Sequence, residues 1–323
     1  MNTSGSSNNS PPKPLVVRFM RKQGAVAVEL ARLLLTLEPG DRLPPIADLA
    51  RRFDVGYGTI HEALKSLESM GAIQLKRRGH LGTILVHADD AKLWQLSGRS
   101  TIMGLMPLPY SRRYEGLATA LYECFDAIGL PLSLGYMRGS SQRVRALRDG
   151  NASFIVTSAL AAEAITADRD DTRVALWLGP HTYSSQYAIL TTDPQMTELQ
   201  NGMRIGIDPA SIDQVKLTEA ECEGLDVEYV RVRYTGFIEL LRQRVIDAAI
   251  WNTDEAVDRY PDVRIVPLRN EYARKLALAN TEAAILVPSD RSDLVRLFSR
   301  HVNVEQLRMI QQEVVERRRL PSY

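Results

Sequence analysis

Three consecutive cations, Lys76, Arg77 and Arg78, stand beside Gly79 and Gly82 in a short polar stretch between two apolar runs. Cationic side chains on a glycine-bearing loop suit phosphate oxygens or the minor groove. Upstream, Tyr57, Thr59, His61, Glu62 and Lys65 occupy the polar side of a segment whose apolar residues Ile60, Ala63, Leu64, Leu67 and Met70 recur at helical spacing. Tyr57, Thr59 and His61 are placed to read base edges, and Arg51 and Lys65 to join the loop cations on phosphates. A different chemistry is suggested by Ser158 and Asn252, two polar residues that each close a short apolar run. No Gly-x-Ser-x-Gly elbow, phosphate loop or dinucleotide fingerprint occurs, and the histidines and the two cysteines, Cys124 and Cys222, lack metal-ligand spacing. The expectation is a protein without catalytic residues, metal or cofactor, and not an enzyme.

The elements that must position the first set lie between Arg42 and Val86. Ile46, Leu49, Ala50 and Phe53 give one apolar helical face over Ile46 to Phe53. Asp54-Val55-Gly56 breaks that helix, with Gly56 expected to supply a positive φ. A second helix runs from Tyr57 to Met70 and ends at Gly71. Ile73 to Leu75 and Thr83 to Val86 read as two strands around the basic loop. Helix, turn, helix and basic hairpin outline a winged helix-turn-helix, whose second helix enters the major groove.

This stretch resembles the DNA-binding domain of the GntR family. The matching residues are Leu43-Pro44-Pro45, Leu49-Ala50, Val55, Thr59-Ile60, Glu62-Ala63-Leu64, Leu67-Glu68 and Gly71. Tyr57 and His61 stand where the family carries arginines, and Gly56 where it carries serine. Base contacts do not transfer at those positions, and a different operator preference is implied. A winged fold used only for protein contacts is the plainer alternative.

The 323 residues allow two or three domains. Through Val86 there are twelve Lys and Arg against seven Asp and Glu, net +5; the remainder carries 28 against 32, net −4. A basic head on a slightly acidic body suits nucleic acid at one end. Residues 1–14, rich in Ser, Asn and Pro, read as a disordered tail, and no secretory signal is evident. The run Gly24 to Leu37 contains Glu29 and Arg32, is too short to span a bilayer, and reads as the first helix of a winged domain covering residues 15–87. Two unpaired cysteines fit a reducing compartment, and a cytoplasmic location without membrane contact is expected.

Residues 88–100 are polar and read as a linker. From Thr101, strands alternate with helices, the pattern of an α/β domain with a largely parallel sheet. Leu147 to Ser158 lies without gaps on Leu241 to Asn252, and the same offset lays Leu132–Met137 on Asp226–Arg231. This shared rhythm suggests two lobes, the first of about 101–190 with 281–323 and the second of about 191–280, in the manner of a type 2 periplasmic binding protein. Ligands of open α/β sheets bind beyond the carboxyl ends of strands. That rule nominates Tyr110, Ser111, Arg113, Arg138, Ser140, Ser158, His181, Tyr183, Tyr234, Trp251 and Asn252 as effector-binding residues. Arg113, Arg138 and His181 would be cationic partners, and Tyr110, Tyr183, Tyr234 and Trp251 flat walls. Each has a plainer alternative: Trp251 as core, Arg138 in a surface ion pair, His181 in a rigid turn.

Met106-Pro-Leu-Pro-Tyr110-Ser, Arg113-Tyr-Glu-Gly-Leu-Ala118, Met137-Arg-Gly139, Leu160-Ala-Ala-Glu163, Leu178-Gly-Pro-His-Thr-Tyr183, Ile250-Trp-Asn252 and the terminal Pro321-Ser-Tyr323 together resemble the YhfZ family. The resemblance implies a GntR-like regulator with a periplasmic-binding-protein-like C-terminal domain; it does not identify an effector. The expected protein is a transcriptional regulator, a homodimer on double-stranded DNA with a palindromic operator, sensing a small polar metabolite, anions included. Two alternatives stay open: a C-terminal domain that only dimerises, and a metabolite-processing enzyme on the same fold.

Overall fold

A computed structural model of the chain describes residues 22–99, 101–254, 256 and 260–323. The tail expected over residues 1–14 lies outside them. The chain divides into two compact units, Met1–Ser100 and Thr101–Tyr323.

In the first unit, α1 (Lys22–Leu34), α2 (Ile46–Phe53) and α3 (Tyr57–Ser69) precede a hairpin of β1 (Ile73–Arg77) and β2 (Thr83–Ala88). Leu30, Ala31 and Leu34 of α1 and Ile60, Ala63, Leu64 and Leu67 of α3 are buried, so that part of the periodic stripe is the core face; Met70, expected in the same stripe, caps the helix end and is 44% exposed. The turn between α2 and α3 differs from expectation. Asp54 takes the left-handed conformation, φ 55°, and its N–H and that of Val55 close the end of α2 on Ala50 and Arg51 carbonyls. Gly56 is extended, φ −72°, at the start of α3. Aspartate tolerates the left-handed region well enough to free the glycine from that task. Gly71 does adopt positive φ, 65°, just past α3.

The segment read as a linker is largely a helix. α4 (Asp90–Leu96) is capped by Asp89, whose carboxylate accepts from the Lys92 N–H at 3.0 Å. It buries Leu93 and Trp94 and packs on α1, and the Arg32 Nε donates to the Ser97 carbonyl at 3.0 Å. Two large apolar anchors suffice to fold this polar stretch onto the winged unit.

The second unit has two five-stranded sheets. The first lobe orders β4 (Leu132–Tyr136), β3 (Ile102–Met106), β5 (Phe154–Ser158), β12 (Ala283–Pro288) and β6 (Thr172–Trp177). The second orders β9 (Glu228–Arg231), β8 (Arg204–Ile207), β10 (Ala248–Asn252), β7 (Tyr187–Thr191) and β11 (Arg264–Val266). Each sheet contains one strand that is antiparallel to both neighbours and follows directly on a passage from the other lobe: β7 after β6, β12 after the helix that follows β11. The sheets are therefore mixed, and Tyr187–Leu190, expected in the first lobe, begins the second. A short apolar run carries no signal of which sheet receives it. The repeat expected from sequence corresponds to real topology: β4 and β9, and likewise β5 and β10, occupy equivalent positions in the two strand orders.

Helices α5 (Arg112–Asp126), α6 (Ser140–Arg148) and α7 (Ala159–Asp168) belong to the first lobe; α8 (Ile212–Glu221), α9 (Phe237–Arg242) and α10 (Glu271–Ala279) to the second. The chain ends in α11 (Ser292–His301) and α12 (Val304–Val315), which return to the first lobe, with α12 on α5. Gly116 makes that approach possible: a Cβ there would sit 2.7 Å from the Gln311 carbonyl oxygen. Among the described residues no helix is long and apolar enough to cross a membrane.

Candidate functional sites

The winged unit presents its polar face outward. Tyr57 is 61% exposed, His61, Glu62 and Lys65 are exposed, and Thr59 is half-buried. Together with Arg51, Asp54 and Gly56, Tyr57 and Thr59 border a surface depression of about 500 Å³. Arg51 is exposed and ion-paired with Asp48, one helical turn earlier. Lys76, Arg77 and Arg78 are all exposed on the hairpin, whose tip is one 3-10 turn, Gly79–Leu81. Arg42 was not foreseen. It bridges to Ile84 of β2, and its guanidinium lies so close under Gly82, φ 86°, that a Cβ would be 2.5 Å from Arg42 Nε. The hairpin thus carries a fourth cation from outside its own sequence.

In the second unit the nominated residues fall into three places. Tyr110, Tyr183, Tyr234, Trp251 and Asn252 come together between the lobes with Tyr114. Tyr234 stacks on Trp251 at 4.6 Å and 16°, Tyr110 contacts both, and Tyr114 meets Tyr110 and Tyr183 edge-on at 5.2 Å each. Asn252 Nδ2 donates to the Tyr110 hydroxyl at 3.0 Å. Burial pushes the Tyr183 phenol up to about 12, and raises those of Tyr110, Tyr114 and Tyr187 well above their ordinary value. These hydroxyls are neutral at physiological pH and hydrogen-bond as donors and acceptors.

A second group joins the lobes through polar contacts. Arg138 pairs with Asp208, Ser140 Oγ accepts from the Ile212 N–H at 3.1 Å, and Ser158 Oγ donates to Asp213 at 2.9 Å. Gly139, φ 76°, brings this junction close, since a Cβ would be 2.6 Å from the Ala210 carbonyl oxygen. Ser158 was nominated for a ligand; here it serves a carboxylate of the facing lobe. Asp213 also accepts from Ser211 at 2.8 Å and Asn280 at 3.3 Å.

The third group lies toward the strand crossings. Arg113 pairs with Asp254 and donates to the His181 carbonyl. His181 has φ 62°, and its Nδ1 lies 3.0 Å from the Ser185 carbonyl oxygen. Both line a pocket of about 330 Å³ with Arg308 and Gln312. Ser111 is set apart as the cap of α5, its hydroxyl accepting from the Tyr114 N–H. Two of the three expected cationic partners therefore already hold carboxylates.

Arg143 is a functional candidate that spacing alone does not mark. It is 2% exposed on α6, with Nη1 on the Met137 carbonyl at 2.8 Å and Nη2 3.4 Å from the Tyr183 hydroxyl. Four arginines lie between 138 and 148, and sequence spacing alone does not single out the one that turns inward.

With this geometry in place, similarity to known proteins adds independent information. A family model described as the YhfZ C-terminal domain matches residues 89–323, and a helix-turn-helix domain model matches residues 38–85. The Escherichia coli (strain K12) protein YhfZ is 36% identical over 306 residues, 94% of this chain and 99% of that protein. The crystal structure of YhfZ from Shigella flexneri matches with TM-score 0.60 and 32% identity, over 73% of this chain and 98% of that one. A Candida albicans protein exhibiting the generic periplasmic binding protein fold matches at TM-score 0.51 and 15% identity, over 68% of this chain and 74% of its own. That likeness is one of fold and concerns the two-lobed α/β part alone; with the helix-turn-helix match, the chain is a helix-turn-helix domain followed by a two-lobed, periplasmic-binding-protein-like α/β domain.

Proposed function

The chain belongs to the YhfZ family, and from that premise we propose that it is a DNA-binding transcriptional regulator whose two-lobed domain senses a small polar molecule in the cytoplasm. The observation that carries the reading is the winged unit, with a recognition helix whose polar face is free and a hairpin bearing Arg42, Lys76, Arg77 and Arg78. Phosphate contacts from these cations and Arg51 and Lys65 would supply affinity, and Tyr57, Thr59 and His61 would read bases in GntR-like fashion. A homodimer would read a palindromic operator. A ligand preferring one arrangement of the lobes would shift the equilibrium between arrangements, and with it DNA affinity. The protein is not an enzyme in this reading.

The test is to incubate the full chain with fragmented DNA of its own genome, recover the bound sequences, and titrate the enriched duplex with and without small metabolites. Enrichment of one two-fold symmetric sequence, released or tightened by a metabolite, supports the proposal. Uniform recovery of all sequences removes the regulator. A second reading, in which the two-lobed domain only joins two copies, is favoured by the aromatic side chains that pack on one another between the lobes. An operator whose binding no metabolite alters would select it.

A further inference from the structure

Arg143 is a buried guanidinium that, among the described residues, touches no carboxylate. Among the described residues no carboxylate oxygen lies within 4.0 Å of it. Among the described residues its Nε–H has no acceptor, and the contact from Nη2 to Tyr183 is at the long limit of hydrogen bonding. A buried charge in that state is costly, and buried donors are nearly always satisfied. The two arginines nominated from sequence are different: Arg138 holds Asp208 and Arg113 holds Asp254. Asp213, whose charge opposes that of Arg143 at the Tyr183 phenol, makes no ion pair with Arg143 and takes its hydrogen bonds from Ser158, Ser211 and Asn280.

We propose that Arg143 is the anchor of the ligand site, and that the ligand carries a carboxylate which takes the Nε and Nη2 edge of this guanidinium. The inference rests on the sensor reading above and names the chemical class it senses. Nη1 is fixed by the Met137 carbonyl, which leaves the opposite edge facing Tyr183. Nε and Nη2 together form the two-donor fork that matches a carboxylate. The Tyr183 hydroxyl gives up a 3.4 Å contact to admit it. The carboxylates of Asp213 and Asp208, whose charges act on the neighbouring Tyr183 and Tyr234 phenols, repel an added anion and so favour a monoanion over a phosphate dianion. Asn252 Oδ1, also buried and without a donor, lies at the far side of the Tyr110, Tyr114 and Tyr183 cluster and offers an acceptor for a second polar group of the ligand.

The experiment is thermal unfolding of the full chain with sodium acetate and sodium benzoate as probes, each against its neutral amide, acetamide or benzamide, and against inorganic phosphate, at matched ionic strength. The carboxylates raise the unfolding midpoint of the second unit by mass action, and the amides and phosphate do not. Arg143→Met removes the rise while leaving the midpoint in chloride unchanged or higher, because it deletes a buried charge that touches no carboxylate among the described residues. Arg143→Lys keeps the charge but loses the fork, and weakens the carboxylate response roughly tenfold or more. Should Arg143→Met fail to fold, the lysine variant decides. Arg145→Gln, exposed on the same helix, keeps the response. A carboxylate rise that persists without Arg143, or an equal rise with amides or phosphate, overturns the proposal. If the carboxylates do nothing while another metabolite alters operator binding, the anchor is wrong and the sensor stands. If no metabolite alters operator binding either, both fall.

Discussion

Arg138 and Asp208 form an ion pair between the two lobes, the first side chain 21% exposed and the second 2%. Asp208 is held from its own lobe as well, accepting from the Tyr234 and Ala210 N–H groups at 3.0 Å each. Removing Arg138 leaves a buried carboxylate with neutral donors only. Arg138→Gln is expected to destabilise the second unit more than the Arg138→Gln, Asp208→Asn pair does. The coupling from a double-mutant cycle should be about 1–3 kcal/mol. Urea unfolding of the full chain supplies the four free energies, and coupling near zero would mean the pair contributes nothing to holding the lobes together.

The wing cations are predicted to bind phosphates. Replacing Arg77 and Arg78 together by Ala should weaken binding to all duplexes alike and lower the slope of log K against log salt by roughly two, close to one per lost contact. His61→Ala should instead act on sequence preference with little change in slope. Fluorescence anisotropy over a salt series reads both quantities. An unchanged slope in the double variant would take the wing out of the interface.

Trp251 was nominated as a ligand wall with core as its alternative, and its surroundings give weight to the core. It is 9% exposed, stacked on Tyr234 and edge-on to Phe237 at 5.9 Å. Truncating a side chain of this size in such a setting costs about 3–5 kcal/mol. Trp251→Ala is expected to lower the unfolding free energy of the second unit by that order, and Trp251→Phe by much less. A stable Trp251→Ala protein that has lost ligand response would restore the wall.

Much of this was legible because it is local. The bounds of α2, the buried stripe of α3 and the hairpin follow from spacing within a few residues. The equivalence of β5 and β10 was visible in an ungapped repeat, and it placed Ser158 and Asn252 correctly at corresponding strand ends. What those ends face was not legible, because Asp213 and Tyr110 reach them from more than fifty residues away. Pairing of Arg138 and Arg113, and the lack of it at Arg143, is decided by the same long-range closure. α4 escaped notice because its two anchors, Leu93 and Trp94, sit among charged and polar neighbours.

The last prediction concerns pH. Asp247 follows α9 and accepts from Arg204, at 2.7 Å to Nη2 and 3.1 Å to Nε, and from the Arg204 N–H at 2.7 Å. The Arg204 side chain holds the Asp247 carboxyl below its ordinary 3.8, against a smaller opposing effect of burial. A carboxyl whose folded value is depressed binds fewer protons in the folded state than in the unfolded one. Its contribution to stability is therefore complete above 3.8 and is lost as pH falls below that value and through the folded one. Asp247→Asn removes the contribution at every pH. The variant should be less stable than the parent at pH 7, and the gap should narrow as pH drops below 3.8. Because both partners are about a third exposed, the gap is modest and shrinks with added salt. Urea midpoints of parent and variant across the acid range measure it, and a gap that stays constant to the acid limit would mean Asp247 is protonated alike in both states.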